Sequence, residues 1–216
     1  MIRQFFLPSI DFDKYFAADF TLETDRVILA PMKTEDATPF LQLSQPDFLW
    51  KYFTKELNDP AQLEEWMQEA LRDRAAGKRV PFTITDKQTG QICGSTSFGN
   101  IFFFDKRIEI GWSWLGESFL GTGVNRQCKF ALLHYAFETM QFERVEIKTD
   151  NLNERAKQAL RKIGATEEGV LRSHTQMPRN RRRDSVYYSI LKKEWSQVKE
   201  DFFGGYALTN AIVQGW

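Results

Sequence analysis

The stretch that decides the fold runs from Arg107 to Met140, RIEIGWSWLGESFLGTGVNRQCKFALLHYAFETM. Ile108, Ile110, Trp112 and Trp114 alternate with Arg107, Glu109, Gly111 and Ser113, the period of a β-strand. The alternation stops at Gly116-Glu117-Ser118, and Gly121-Thr122-Gly123 opens a helix that runs on to Met140. Val124, Cys128, Ala131 and Tyr135 line one side of that helix, and Phe130, Leu133, Phe137 and Met140 a second. Protein must therefore cover much of its surface.

The turn between strand and helix carries the chemistry. The first N–H groups of a helix have no intrahelical partner, and with the positive end of the helix dipole they form an anion site. Glycines at 121 and 123 let a phosphate approach the backbone closely. Glycine pairs also serve plain tight turns, so neighbouring segments must decide. The dinucleotide fingerprint fails, because Arg126 stands where its third glycine belongs. The P-loop fails for want of Gly-Lys-Ser/Thr.

The segment Ser118-x-x-Gly121-x-Gly123 resembles the acetyl-coenzyme A turn of the GCN5-related N-acetyltransferases, Gln/Arg-x-x-Gly-x-Gly/Ala, with Ser118 in the Gln/Arg place. The segments EIGWSWL, GTGVN, TDNLNERAKQALRKIGA and RRRDSVYYSIL follow in the order of the RimJ/RimL branch, which acetylates amines. The resemblance spans about residues 20–195, most of the chain. It implies an α/β (α+β) fold: one domain over residues 20–200, with a mixed central sheet of about seven strands flanked by helices. The sheet is splayed between its fourth and fifth strands, Arg107–Leu115 and Phe142–Thr149. Residues 1–19 are then an N-terminal extension and 201–216 an apolar tail.

The same resemblance implies a function: transfer of an acetyl group from acetyl-coenzyme A to a primary amine, on a protein N-terminus or a small molecule. The pantetheine arm would lie in the split, bonded to the first strand as an added strand would be. The residues placed around it are Trp112, Trp114, Leu115, Leu120, Gly121, Thr122, Gly123, Val124, Asn125 and Asn153. The reaction needs a base for the amine, a donor for the oxyanion and a proton for the leaving thiolate. Glu109 is the candidate base, weighed against a carboxylate merely paired with an arginine at the sheet's edge. A main-chain N–H near Trp112–Trp114 is the oxyanion donor. The branch's Asn-x-x-Ser pattern stands here as Asn153 with Ala156, and alanine carries no proton. Either Tyr187, Tyr188 or a water is left as the acid, or the thiolate departs unaided, while Asn153 can bond the pantetheine amide, cap its helix, or both. The departures at Ser118 and Ala156 keep two other readings open: an acyl-coenzyme A-binding module without turnover, and an enzyme using another acyl group.

Composition narrows the class. The 29 basic and 29 acidic residues balance, which argues against a general nucleic-acid binder. The two cysteines, Cys93 and Cys128, have no Cys or His at metal-ligand spacing, so no metal is expected. With no basic, apolar leader and no run long enough to span a membrane, the expected location is the cytoplasm. His134 reads as structural, and His174 as an alternative base without the Gly-x-Ser-x-Gly elbow of a hydrolase.

The remaining segments fall into order around the central stretch. Residues 1–19 read as an irregular extension that packs its rings on the domain, and Phe20–Ala30 as one strand. Thr34 can cap a short helix to about Ser44, bent by Pro39. Asp59, Pro60 and Gln62 mark a second helix, which Gly77 ends. The aromatic run 46–53 either lines an acceptor pocket or fills core. Val80–Thr85 and Gln91–Asn100 are strands, and the Phe102–Phe104 loop calls for cover by acceptor, tail or a second subunit. A helix from Asn153 to Gly164, strands Ala165–Ser173 and Ser185–Leu191 around an arginine-rich loop, and a helix from Lys193 to about Asp201 complete the domain. The tail packs either on its own chain or in a homodimer.

Overall fold

A computed structural model describes residues 10–212. The first nine residues of the expected extension and the last four of the tail lie outside that range. Among the described residues nine strands form one sheet: β1 (Thr21–Thr24), β2 (Val27–Pro31), β3 (Arg79–Asp86), β4 (Gln91–Phe102), β5 (Arg107–Leu115), β6 (Arg144–Asp150), β7 (Thr166–Gln176), β8 (Arg182–Leu191) and β9 (Leu208–Ile212). Their order is β7-β8-β6-β5-β4-β3-β2-β1-β9. Every pair is antiparallel except β5–β6. The helices are α1 (Ile10–Tyr15), α2 (Ala37–Leu43), α3 (Pro60–Ala75), α4 (Val124–His134), α5 (Glu154–Arg161) and α6 (Lys192–Phe203).

The sheet has nine strands rather than about seven for two reasons. The expected strand over 20–30 is a hairpin. Thr24 Oγ1 accepts from the backbone N–H of Arg26 at 3.2 Å and of Val27 at 3.1 Å, turning the chain so that Leu22 pairs with Leu29. The ninth strand comes from the tail, where β9 lies along β1 on its own chain. The extension is also more regular than expected. It contains α1, whose Phe12 is buried along with Phe16, and Arg74 donates to the carbonyls of Phe16 and Ala17 at 2.6 and 2.7 Å.

The main core lies between one face of the sheet and α4 and α6, with Phe82, Phe98, Ile110, Phe130, Tyr135, Val145 and Tyr188 among its members. A smaller core on the other face joins Phe40, Trp50, Trp66 and Trp114 beneath α2 and α3. Helix α3 forms where its start signals point: Asp59 accepts from Gln62 N–H at 2.9 Å and Pro60 opens the first turn. A 3-10 turn over Thr34–Asp36 precedes α2, held by Asp36 accepting from Lys33 N–H at 2.8 Å; Thr34 does not cap α2, and Pro39 is tolerated in the first turn of that helix. Helix α4 passes into a π-helical turn over Tyr135–Thr139, where Tyr135 donates to the Tyr15 carbonyl at 2.5 Å.

The triple phenylalanine is covered differently from expectation. Phe103 stacks on Tyr15 and meets Phe142 edge-on, so α1 supplies its cover. Phe102 lies under the Arg107 guanidinium at 3.6 Å, and Phe104 stands fully in solvent.

Candidate active site

Strands β5 and β6 run together for only three rungs: Arg107–Arg144, Ile108–Val145 and Glu109–Glu146. Beyond Glu109 they part. β6 stays bonded to β8 as far as Asp150–Ser185, while the β6-facing edge of β5 over Gly111–Leu115 has no strand partner. An unpaired edge offers backbone donors and acceptors to whatever enters the gap.

A β-bulge sets which side chains face that gap. Ser97 pairs with Gly111 and Ser95 with Trp114, so β5 holds one more residue than β4 there. Trp112 sits in the bulge at φ +52°, a conformation costly for a bulky side chain. The extra residue reverses the expected alternation. Trp112 and Trp114 lie on the same face as Glu109, not on the face of Ile108 and Ile110. Trp114 packs edge-on against Phe40 and Trp50, each at 5.3 Å. The Trp112 ring lies 4.5 Å from the Arg79 guanidinium, which Trp66 covers at 5.3 Å. Arg79 is buried with both terminal nitrogens unpartnered, and burial lowers its pKa to about 10. Ser113 turns instead toward α4, where Lys129 Nζ donates to its hydroxyl at 2.9 Å.

The glycine turn closes the other end of the gap. Gly121 and Gly123 have φ of +76° and +92°, and no protein atom lies within 4 Å of where a Cβ would stand on either. No side chain caps α4, so its first N–H groups face open space. The donors, the dipole and the open approach fit a diphosphate.

One cavity of about 760 Å³ connects the fork to the turn. It brings together Glu109, Trp112, Trp114, Leu115, Leu120, Gly121, Gly123, Asn125 and Asn153 of the residues singled out from sequence. Thr122, Val124 and Tyr187 do not line it: Thr122 Oγ1 donates to the Phe119 carbonyl at 2.8 Å, and Val124 is core. Leu49, Tyr52 and Phe53 from the aromatic run line the α2–α3 side. Sequence reasoning missed Ser113, Lys129 and Lys148, which also line the cavity. Lys129 was visible as a cation between Cys128 and Phe130 in an otherwise apolar stretch of α4, but its destination depends on β5.

Glu109 is 3% exposed. Its Oε2 accepts from Lys148 Nζ at 2.9 Å and Asn100 Nδ2 at 2.7 Å. Its partner is thus a lysine at the centre of the sheet, not an arginine at its edge. Oε1 turns over Gly111, where a Cβ would come within 2.9 Å of it. Asn153 caps α5, accepting from Ala156 N–H at 3.1 Å, and also lines the cavity. Tyr187 lies across from Lys148 and edge-on to His174, 5.9 Å between rings. Burial, and then Lys148 and Arg183, lower the His174 pKa, and its Nδ1 lies 3.0 Å from Ser185 Oγ. Tyr188 is core, with its hydroxyl on Glu167 at 2.6 Å.

The arginine loop is occupied internally. Arg179 pairs with Glu56 at 2.8 Å, Arg181 with Asp150, Arg182 with the Ser173 carbonyl, and Arg183 with Ser185 Oγ at 2.9 Å. Cys93 and Cys128 are free and buried, and burial pushes the Cys93 thiol up to about 12 and Cys128 also upward. Among the described residues no cluster could hold a metal, and no helix is long and apolar enough to cross a membrane.

A mixed sheet forked between two parallel strands, with an uncapped helix start beside the fork, is the frame of an N-acetyltransferase. Residues 26–166 match the family model described as an acetyltransferase (GNAT) domain, and the chain belongs to that family. It is similar to the uncharacterized N-acetyltransferase p20 of Bacillus licheniformis, 28% identical over 82% of this chain and 98% of that one. A GCN5-related N-acetyltransferase from Brucella melitensis shares the fold at TM-score 0.77 and 22% identity, over 84% of this chain and 83% of that one. Mycobacterium smegmatis RimJ, whose structure holds a CoA-disulfide, shares the fold at TM-score 0.71 and 21% identity, over 81% and 88% of the two chains. The protein is therefore an acetyl-transferring enzyme of the GNAT family.

Proposed function

We propose that the protein transfers the acetyl group of acetyl-coenzyme A to a primary amine, of a protein N-terminus or a small molecule, by direct attack. The observation that carries this reading is the fork itself: pairing between β5 and β6 ends at Glu109, and the cavity runs from that carboxylate to the open turn at Gly121 and Gly123. Acetyl-coenzyme A supplies an activated thioester. The N–H groups at the start of α4 hold its diphosphate, and the free edge of β5 pairs with the amides of its arm. Asn153 stands on the far wall to meet the same arm.

Glu109 takes the proton of the attacking amine, directly or through one water. Main-chain N–H groups at the bulge near Trp112–Trp114 face the carbonyl oxygen, where they strengthen as negative charge builds. The acceptor enters from the side of Leu49, Tyr52 and Phe53, whose aromatic rings suit an amine-bearing group. Buried free thiols suit a reducing cytoplasm, the location we assign.

The second reading, an acyl-coenzyme A-binding module without turnover, is favoured by Ala156 at the place of a proton-donating serine. Coenzyme A release measured with a panel of primary amines and N-terminal peptides decides between them. Turnover with at least one amine supports the enzyme. Tight acetyl-coenzyme A binding with every amine left unmodified hands the protein to the module.

A further inference from the structure

A departing thiolate needs a proton, and the residues expected to give it are badly placed. Ala156 has none, the Tyr188 hydroxyl is committed to Glu167 in the core, and Tyr187 does not line the cavity. From the opposite wall, α4 sends Lys129 into the same space. The side chain is 5% exposed. Its Nζ donates to Ser113 Oγ at 2.9 Å, and Ser113 Oγ lies 2.7 Å from Thr96 Oγ1. No carboxylate among the described residues pairs with it. An ammonium has three donors, and one hydroxyl satisfies only one of them. A buried cation without an anion is costly unless an anion forms beside it during the reaction.

The other charged groups lining the cavity are Glu109, Arg126, Lys148, Arg155, Lys162 and Arg183. Glu109 is engaged by Lys148, Arg183 by Ser185, and Arg126 by the Phe202 carbonyl. Arg155 lies on α5 across the gap, and Lys162 at the C-terminal cap of that helix.

The geometry points to Lys129 as the proton donor to the departing sulfur of coenzyme A. This rests on the acetyl-coenzyme A reading given above and adds the group which that reading lacks. The amine nitrogen bonds to the acetyl carbon, and the carbon–sulfur bond breaks with its electron pair going to sulfur. Sulfur takes a proton from Lys129 Nζ, and the proton shed by the amine goes to Glu109. Solvent then reprotonates Lys129 and deprotonates Glu109, so the cycle balances. Burial, opposed only by the Cys128 thiol, lowers the Lys129 pKa to about 8. The thiol of coenzyme A ends an alkyl chain and holds its proton more tightly than a cysteine, at about 8.5, so transfer from Lys129 to the departing sulfur runs downhill.

The test titrates the sulfur of coenzyme A bound to the full chain. Thiolate absorbance is read in the ultraviolet as a difference against the chain holding desulfo-coenzyme A. Cys93 and Cys128 stay protonated through the range and do not interfere. With Lys129 in place, the bound thiol should titrate about one pKa unit or more below free coenzyme A, a tenfold shift in its proton equilibrium. Lys129→Gln, which can still bond Ser113 but gives no cation, should remove that shift while coenzyme A still binds. Equal titration in the two proteins, or a native bound thiol no more acidic than free coenzyme A, overturns the assignment. The comparison of native protein with free coenzyme A decides even where the variant does not fold. Failure of the native chain to bind coenzyme A at all would instead sink the acetyl-coenzyme A reading on which this rests.

Discussion

Lys148 Nζ lies 2.9 Å from Glu109 Oε2, reaching back across the gap that opens just past the last β5–β6 rung. Lys148 is about a quarter exposed and Glu109 almost wholly buried, so the pair seals the narrow end of the fork with its carboxylate inward. Both Lys148 and Asn100 hold Oε2, which fixes the carboxylate plane and leaves Oε1 over Gly111.

Glu109→Gln keeps the shape of that side chain and removes its basicity. Turnover should fall by about 10²–10⁴-fold, the usual worth of a positioned base. The circular dichroism spectrum should be unchanged. Lys148→Met leaves a buried carboxylate without its cation and should cost about 1–3 kcal/mol in urea denaturation. The double variant should recover part of that cost. Undiminished turnover in Glu109→Gln would remove it from the mechanism.

At the turn, Gly123→Ala meets open space but must adopt a left-handed backbone at φ +92°. The strain is about 1–2 kcal/mol, visible as a modest fall in melting temperature. The methyl group would stand where the diphosphate is placed, so acetyl-coenzyme A affinity by calorimetry should fall about tenfold or more, beyond what the strain accounts for. Unchanged affinity would move the phosphates elsewhere.

Gly99 makes a different test, of packing alone. A Cβ there would come within 2.4 Å of Trp112 Cζ3, and the ring is pinned from the other side by Arg79. Gly99→Ala should cost about 1–3 kcal/mol as an overpacked site. It should also weaken acetyl-coenzyme A binding, since moving Trp112 disturbs the bulge. A variant as stable as the native chain would show the Trp112 position to be soft.

At the paired end of β5 and β6, away from the gap, Arg144 bonds both carboxylate oxygens of Glu168, one at 2.6 Å, and Ser189 adds a third bond at 2.7 Å. The Arg144 guanidinium, more than any other group, holds the Glu168 carboxyl below the ordinary glutamate range. A depressed folded-state pKa gives stability that is complete above the unfolded value, about 4.3, and is lost as pH falls through the folded value. The stability advantage of the native chain over Glu168→Gln should therefore be present at about pH 7 and shrink toward about pH 3, read as urea midpoints. An advantage that persists in acid would mean that the pair does not set this dependence.

Much of this was legible in the residues because it rests on local rules. The strand Arg107–Leu115 announced itself by alternation, α3 by Asp59 and Pro60, and the turn by its two glycines. What stayed hidden depends on register. One inserted residue at Trp112 leaves composition and spacing unaltered, yet it carries Trp112 and Trp114 to the Glu109 face. The β1–β2 turn escaped notice because Thr24 makes it with a side-chain oxygen, where a glycine or asparagine would have been the usual signal. Lys148 lies far from Glu109 in sequence, and only the parallel pairing of β5 with β6 brings the two within reach. Ser113 and Lys129 were overlooked for the same reason: each is ordinary in its own segment and acquires meaning only opposite the other.

The pairing of β9 with β1 also has a consequence for how the chain is made. Thr21 is among the first described residues to leave the ribosome and its neighbour Ile212 among the last. The outer side of β1 therefore waits, with its hydrogen-bonding groups unmet, while all the strands and helices between the two are made. Until β9 arrives, that margin is open to strands of other nascent chains, and the interval is longest when translation is slow.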